Sequence, residues 1–360
     1  MKKDIQNLKR REFINLSALI VGGSILQACG NQTATLTPTS TSTSTSTAKT
    51  EKKLDKIRFA LGWKAQAEYG GFYQAVATGI YQDYGLDVEI QPTGPQSNVT
   101  QLLLGGVVDL TMGHAVNAIK NLESGIPTIT VAAIFQKEVQ VLLSHPNVGN
   151  DSLAQLKNKP IFLSPSADQS YWPVLKTKYG FTDEQKRPYN FNVSPFLVDK
   201  NSAQQGIMTS EPYTIEQKGG FKPNILSLAE ANYNPYTFTI ETTKKLVQTN
   251  PELVQRFVDA SIKGWYSYLK NPAPGNELIK KDNPEMTDEL ISFGLNKLKE
   301  YSIIASGDAE KLGIGAMNND RWESLFKELV QVGILKNTTD YKQAYTLDFV
   351  NKGLDYYIKG

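Results

Sequence analysis

Short apolar runs alternate with longer amphipathic ones through the first part of the chain. The runs at 57–61, 86–91, 108–112 and 128–135 read as buried strands, and those at 72–78, 97–104 and 116–124 between them as helices. Gly85, Gly105, Gly106 and Gly125 punctuate their ends. This alternation predicts βαβ units with parallel strands. A second α/β set follows. Residues 151–156 read as a capped helix, 160–163 as a short strand, 170–179 as a helix and 189–193 as a strand. Residues 203–207 read as the end of a helix and 224–228 as another strand. Beyond 236–240 the pattern turns helical, at 251–269, 273–280, 287–300 and 320–332, with Pro251 and Pro284 near helix starts. No internal repeat stands out.

The first strand runs into Trp63-Lys-Ala-Gln-Ala-Glu-Tyr-Gly-Gly-Phe-Tyr-Gln74. A Trp, a Tyr and a Gly-Gly pair therefore sit on a strand-to-helix turn. In open α/β sheets, ligands bind over such turns at the carboxyl ends of strands. Gly70 and Gly71 lack Cβ atoms, so their backbone can approach a ligand closely. Trp63 and Tyr69 offer flat faces with polar tips. A core Trp above a tight turn explains the same residues, so the stretch alone leaves both readings open.

Lys2, Lys3, Lys9, Arg10 and Arg11 precede an apolar stretch at 13–28, the layout of a signal peptide. That stretch is short and contains Gly22, Gly23 and Ser24, which makes it a poor permanent membrane span. Leu26-Gln-Ala-Cys29 resembles a lipobox, in which the cysteine is lipidated and becomes the mature N-terminus. Arg10-Arg-Glu-Phe-Ile14 resembles a twin-arginine export signal. Residues 33–47 are almost all Thr and Ser, with too little apolar surface to offset their ordering entropy. They read as a tether, and about 25 residues of such coil reach roughly 25–30 Å.

These features change how the charge is read. Of 38 basic and 36 acidic side chains, five and two lie before Cys29, so the remainder holds 33 and 34. The body has no basic block, which argues against nucleic-acid binding. Cys29 is the only cysteine, which excludes disulfides, cysteine nucleophiles and Cys-ligated zinc in the body. His114 and His145 are the only histidines and stand far apart, so no metal site is expected.

The stretch from Trp63 to Gln74, with Gly79-Ile-Tyr-Gln-Asp-Tyr-Gly-Leu-Asp-Val-Glu-Ile90, resembles the start of an ABC importer's periplasmic binding protein. The similarity is to the family of thiamine-pyrimidine-precursor, taurine and nitrate binding proteins, which is related to the yeast thiamine-pyrimidine synthase. Further matching pieces are Gly106-Val-Val-Asp-Leu110, Gly125-Ile-Pro127, Val131-Ala-Ala-Ile-Phe-Gln136 and Thr209-Ser-Glu-Pro212. The resemblance implies an α/β, two-lobed type II periplasmic binding protein fold with a ligand cleft between the lobes. Residues 1–28 would be the signal peptide with lipobox and 29–55 the tether. Lobe one would be 56–144 plus 235–360, and lobe two 145–234. Hinge closure would trap the ligand.

In that layout the first lobe presents Trp63, Tyr69, Gly71 and Gln74, then His114 and Asn117, then Phe135 and Gln136. The second presents Ser164 and Ser166, Tyr171 and Trp172, and finally Glu211 and Tyr213. In relatives that bind aminopyrimidines, a Glu in a segment like that of Glu211 accepts hydrogen bonds from ring or amino N–H groups. Aromatic faces with a carboxylate suit a flat nitrogen heterocycle. A sulfonate or nitrate would call for Arg or Lys donors or a backbone nest, and that alternative stays open.

The resemblance also raises an enzyme reading. The yeast synthase's cofactor lysine falls on Gly113 and its histidine on Asn117, and its cysteine-rich motif has no counterpart. A Schiff base needs an amine there, so no cofactor and no catalysis are expected. The expected protein is a monomeric lipoprotein on the outer face of the cell membrane. It would deliver a small-molecule ligand to an ABC importer permease.

Overall fold

The computed structural model describes residues 53–359. The signal peptide, lipobox, export signal and nearly all of the tether expected at 1–55 lie outside the described residues.

Among the described residues ten strands form two five-stranded sheets. The first sheet contains β1 (Asp55–Ala60), β2 (Leu86–Gln91), β3 (Leu110–His114), β4 (Thr128–Phe135) and β10 (Thr237–Thr243). Its order is β2-β1-β3-β10-β4. The pairs β1–β2 and β1–β3 are parallel, as the alternating pattern predicts. The late strand β10 is antiparallel to both β3 and β4, which makes the sheet mixed.

The second sheet has the order β7-β6-β8-β5-β9. It is built from β5 (Gln140–Ser144), β6 (Ile161–Leu163), β7 (Lys186–Pro188), β8 (Ala203–Ile207) and β9 (Asn224–Ser227). Three expectations need correction here. Residues 203–207 are a strand rather than a helix end, because β5 and β6 pair with them on both sides. The strand expected at 189–193 is instead β7, which ends at Pro188. Residues 140–144, assigned to lobe one, pair with β8 and β9 of the second sheet. The chain thus leaves the first sheet after β4 and returns before β10.

Helix α1 (Gly70–Ala77) lies under α2 (Pro251–Lys270). A Cβ on Gly70 would overlap the Tyr268 ring, and one on Gly71 the Trp265 ring. The same holds in reverse for Gly264, which faces the Gly71 carbonyl. The glycine pair therefore allows two helices to touch. Gln74 completes that junction. It donates to Ser267 Oγ and the Asn271 carbonyl, both at 3.0 Å, and accepts from the Gly275 N–H at 2.8 Å.

Both segments that cross between the sheets are held by one side chain. Arg321, on α3 (Asn319–Gln331), donates to the carbonyls of Gln136, Asn234 and Pro235. Its guanidinium also stacks 4.0 Å above the Tyr236 ring. Among the described residues no helix is long and apolar enough to cross a membrane.

Candidate functional site

The segment that follows β1 faces the loops that follow β7 and β8. Trp63, just after β1, is half-buried, and its ring lies 4.6 Å from that of Phe191. Phe191 continues to Tyr189, with ring centroids 5.3 Å apart. The Tyr189 hydroxyl donates to Glu211 Oε1 at 3.3 Å. Glu211 opens helix α4 (Glu211–Gly219), and its Oε2 accepts from the Ile207 N–H at 2.8 Å and the Ser210 hydroxyl at 2.7 Å. A continuous chain of contacts thus runs from Trp63 in the first lobe to the carboxylate of the second. Burial, then the Glu211 charge, pushes the Tyr189 hydroxyl up, so it stays a neutral donor.

A second aromatic group backs the first. Tyr69 is buried with its ring 5.3 Å from Phe238, and Phe238 stacks 4.2 Å from Phe135. Phe191 and Phe238 were not anticipated, and both have left-handed backbones, with φ of 58° and 48°. Bulky residues rarely adopt this conformation, and such strain costs about 1–3 kcal/mol each. The strands around β10 shift register at Phe238, between Thr237 and Thr239, which is where the ring turns inward.

The third group surrounds His114, which ends β3 and caps the following helix Ala115–Glu123. Its Nδ1 accepts from the Val116 N–H at 3.4 Å, so in the neutral ring Nε2 carries the proton. Nε2 faces Glu138 Oε2 at 3.4 Å, and the His114 N–H donates to Glu241 Oε1 at 3.1 Å. Glu138 and Glu241 are both buried. Burial pushes the Glu241 carboxyl up to about 7, against the lowering effect of its two donors, His114 N–H and the Thr239 hydroxyl. The carboxyl of Glu241 fills the space where a Cβ on Gly113 would be.

The remaining predicted residues divide. Ser164 donates to Gln205 Oε1 from both its N–H and its hydroxyl, and its Oγ is 2.8 Å from that of exposed Ser166. Tyr171 is fully buried with no partner for its hydroxyl among the described residues. Asn117 is exposed on its helix. Five expectations need correction. Gly71 and Gln74 belong to the α1–α2 junction. Trp172 is in the core of the second lobe, where its Nε1 donates to Asp183 at 2.7 Å. The Gln136 amide nitrogen donates to the carbonyls of Ala133 and Ala316, both at 2.9 Å, inside the first lobe. Tyr213 packs against Phe293 of helix α5 (Asp288–Glu300), ring to ring at 5.5 Å.

Among the described residues no cluster of three His, Cys, Asp or Glu side chains is placed to hold a metal. The family profile described as NMT1/THI5 like matches residues 66–274, more than half of the chain. The chain belongs to the NMT1/THI5 like family. Riboflavin-binding protein RibY of Chloroflexus aurantiacus is 24% identical to this member over 356 residues, 96% of this chain and 99% of that protein. The 4-amino-5-hydroxymethyl-2-methylpyrimidine phosphate synthase THI11 of Saccharomyces cerevisiae is 26% identical over 251 residues, 66% of this chain and 74% of that one. The formylaminopyrimidine-binding protein of Halalkalibacterium halodurans is 22% identical over 252 residues, 68% and 76% of the two chains. Among solved structures, the periplasmic aliphatic sulphonate binding protein SsuA of Escherichia coli superposes with a TM-score of 0.61, at 12% identity. The match covers 81% of this chain and 91% of that one. This NMT1/THI5 like chain has the two-lobed periplasmic binding protein fold.

Proposed function

We propose that this protein is the solute-binding component of an ABC importer and that its solute is a flat, nitrogen-bearing heterocycle. The contact chain Trp63–Phe191–Tyr189–Glu211 carries this reading. It brings a half-buried aromatic face and a carboxylate together from opposite lobes. Two carboxylate oxygens offer about four acceptor sites. Three donors occupy Glu211, so a fourth is open to an N–H of the solute. Riboflavin and formylaminopyrimidine, which two relatives are named for binding, are both heterocycles with ring nitrogens. In this reading lobe two runs from β5 to about residue 234, and the flanking segments form lobe one. Cys29 carries a lipid that holds the body at the outer face of the cell membrane, after export directed by residues 1–28.

The relatives named as synthases raise catalysis as the alternative. Glu241 weighs against it here. A lysine at position 113, where the yeast cofactor lysine aligns, would have to displace a buried carboxyl.

Thermal shift and titration calorimetry with riboflavin, an aminopyrimidine and an alkanesulfonate test the proposal. A bound heterocycle at a hundredfold excess over its Kd should raise stability by about 2.7 kcal/mol. Trp63→Ala should then weaken binding by roughly 1–3 kcal/mol, by analogy with base–aromatic stacking. Glu211→Gln should cost roughly 1.5–3 kcal/mol. Binding of the sulfonate alone, unharmed by Glu211→Gln, would replace the heterocycle with an anion.

A further inference from the structure

Glu68 precedes the helix α1 on a short 3-10 turn, Ala67–Tyr69, and is 3% exposed. Its carboxyl accepts a hydrogen bond from the hydroxyl of Thr209, which follows β8 on the opposite lobe. The two lobes meet tightly at this point. A Cβ on Gly294 of α5 would lie 3.0 Å from the Ala67 Cβ and 3.1 Å from the Thr209 carbonyl. Among the described residues no cationic side chain pairs with Glu68. Three titratable groups face it. They are Glu211 on α4, Tyr69 on its own turn and Tyr268 on α2. Burial pushes both tyrosines up, so they are neutral, and Glu211 adds a like charge. The Thr209 hydroxyl and the residue's own backbone N–H favour an ionised Glu68, but burial outweighs them and pushes its carboxyl up.

We propose that Glu68 is a proton-operated latch, which joins the lobes when protonated and parts them when ionised. Thr209 belongs to the moving lobe, so separation removes the cover over Glu68 and lets water reach it. The ordinary carboxyl value then returns. Closure therefore takes up one proton, and the ratio of closed to open molecules should fall by up to about tenfold per pH unit between the open and closed values. Solute capture coupled to closure would weaken in the same direction. The inference rests on the two-lobed fold and not on the identity of the solute.

Spin labels at Asp87→Cys and Lys200→Cys, with Cys29→Ser, report the lobe separation in the full chain without any solute. Both sites are exposed, one in each lobe. Pulsed electron–electron resonance should show the short-distance population several-fold larger at pH 5 than at pH 8. Glu68→Gln should keep it large at both. Thr209→Val removes the donor that the opposite lobe supplies and should move the midpoint to higher pH, an effect that a purely structural contact would not give. Equal distributions at both pH values in the unsubstituted background, or an unchanged pH response in Glu68→Gln, would overturn the latch. Neither result bears on whether a heterocycle binds, which the calorimetric screen decides separately.

Discussion

Two walls face each other across the cleft, and each carries a carboxylate with a different environment. Glu211, on the second lobe, sits at a helix start and collects an N–H and two hydroxyls. Glu241, on the first lobe, lies within a central strand beneath Gly113 and has one N–H and one hydroxyl, both on the same oxygen. Donors and a helix N-terminus favour the ionised form, whereas burial with few donors favours the neutral one. The same residue type therefore serves as a well-supplied hydrogen-bond acceptor on one wall and as packing pushed toward its neutral form on the other. What separates them is the supply of donors, which depends on backbone geometry several residues away.

The largest expected effect comes from the neutral side. Glu241 is raised in the folded chain from 4.5 to about 7. As pH rises from about 4.5, the unfolded chain releases this proton first, so stability falls through that window and levels off above about 7. The loss amounts to about 3 kcal/mol. Glu241→Gln keeps an oxygen for the His114 N–H and cannot ionise. Urea unfolding at pH 5 and pH 8 should show this decline in the wild type and not in the variant. Equal declines would mean that Glu241 is already ionised, and the contrast would be lost.

Gly113→Ala should cost roughly 2–3 kcal/mol, since its methyl group overlaps the Glu241 carboxyl. Shortening the partner in Gly113→Ala with Glu241→Asp should recover part of that loss, seen in the same unfolding curves. On the other wall, Glu211→Ala leaves the Ile207 N–H without its acceptor and should cost about 1–2 kcal/mol. Glu211→Gln should cost less than about 1 kcal/mol in folding, because its oxygen can still serve that N–H. A folding cost for Glu211→Gln as large as its binding cost would show that this carboxylate is structural.

Sequence patterns located most of the first sheet. The runs at 86–91 and 128–135 coincide with β2 and β4, because the alternation of β2 and the apolar run of β4 are both readable strand patterns. The second sheet was harder. β8 is Ala-Gln-Gln-Gly-Ile, with Gln204 and Gln205 both buried, and neither period nor β-propensity marks it. Its conformation comes from having β5 and β6 on either side. β5 itself begins five residues after β4 ends, too close for a pattern search to separate.

The site was legible as a place but only partly as a set of side chains. Trp63 and Glu211 are residue types whose chemistry is readable wherever they fall. Gly71 illustrates the opposite case. A missing Cβ admits a close neighbour, and the sequence does not say whether that neighbour is a solute or the Trp265 ring. Phe191 and Phe238 owe their placement to left-handed backbones that tertiary contacts impose, so no local signal marked either one.

The position of β10 has a consequence for how the chain is made. It separates β3 from β4 in the first sheet, yet it follows β4 by about a hundred residues of sequence. During synthesis the first four strands of this sheet are complete long before the one that joins two of them arrives. Until then β3 presents an unpaired edge and β4 has no partner strand, and the second lobe must thread out and back before that gap is filled. Such late, long-range closure is slow and exposes strand edges to other chains. A chain stopped near residue 235 should therefore aggregate rather than fold as a half-molecule, and a chaperone that shields strand edges is the kind of helper this topology needs.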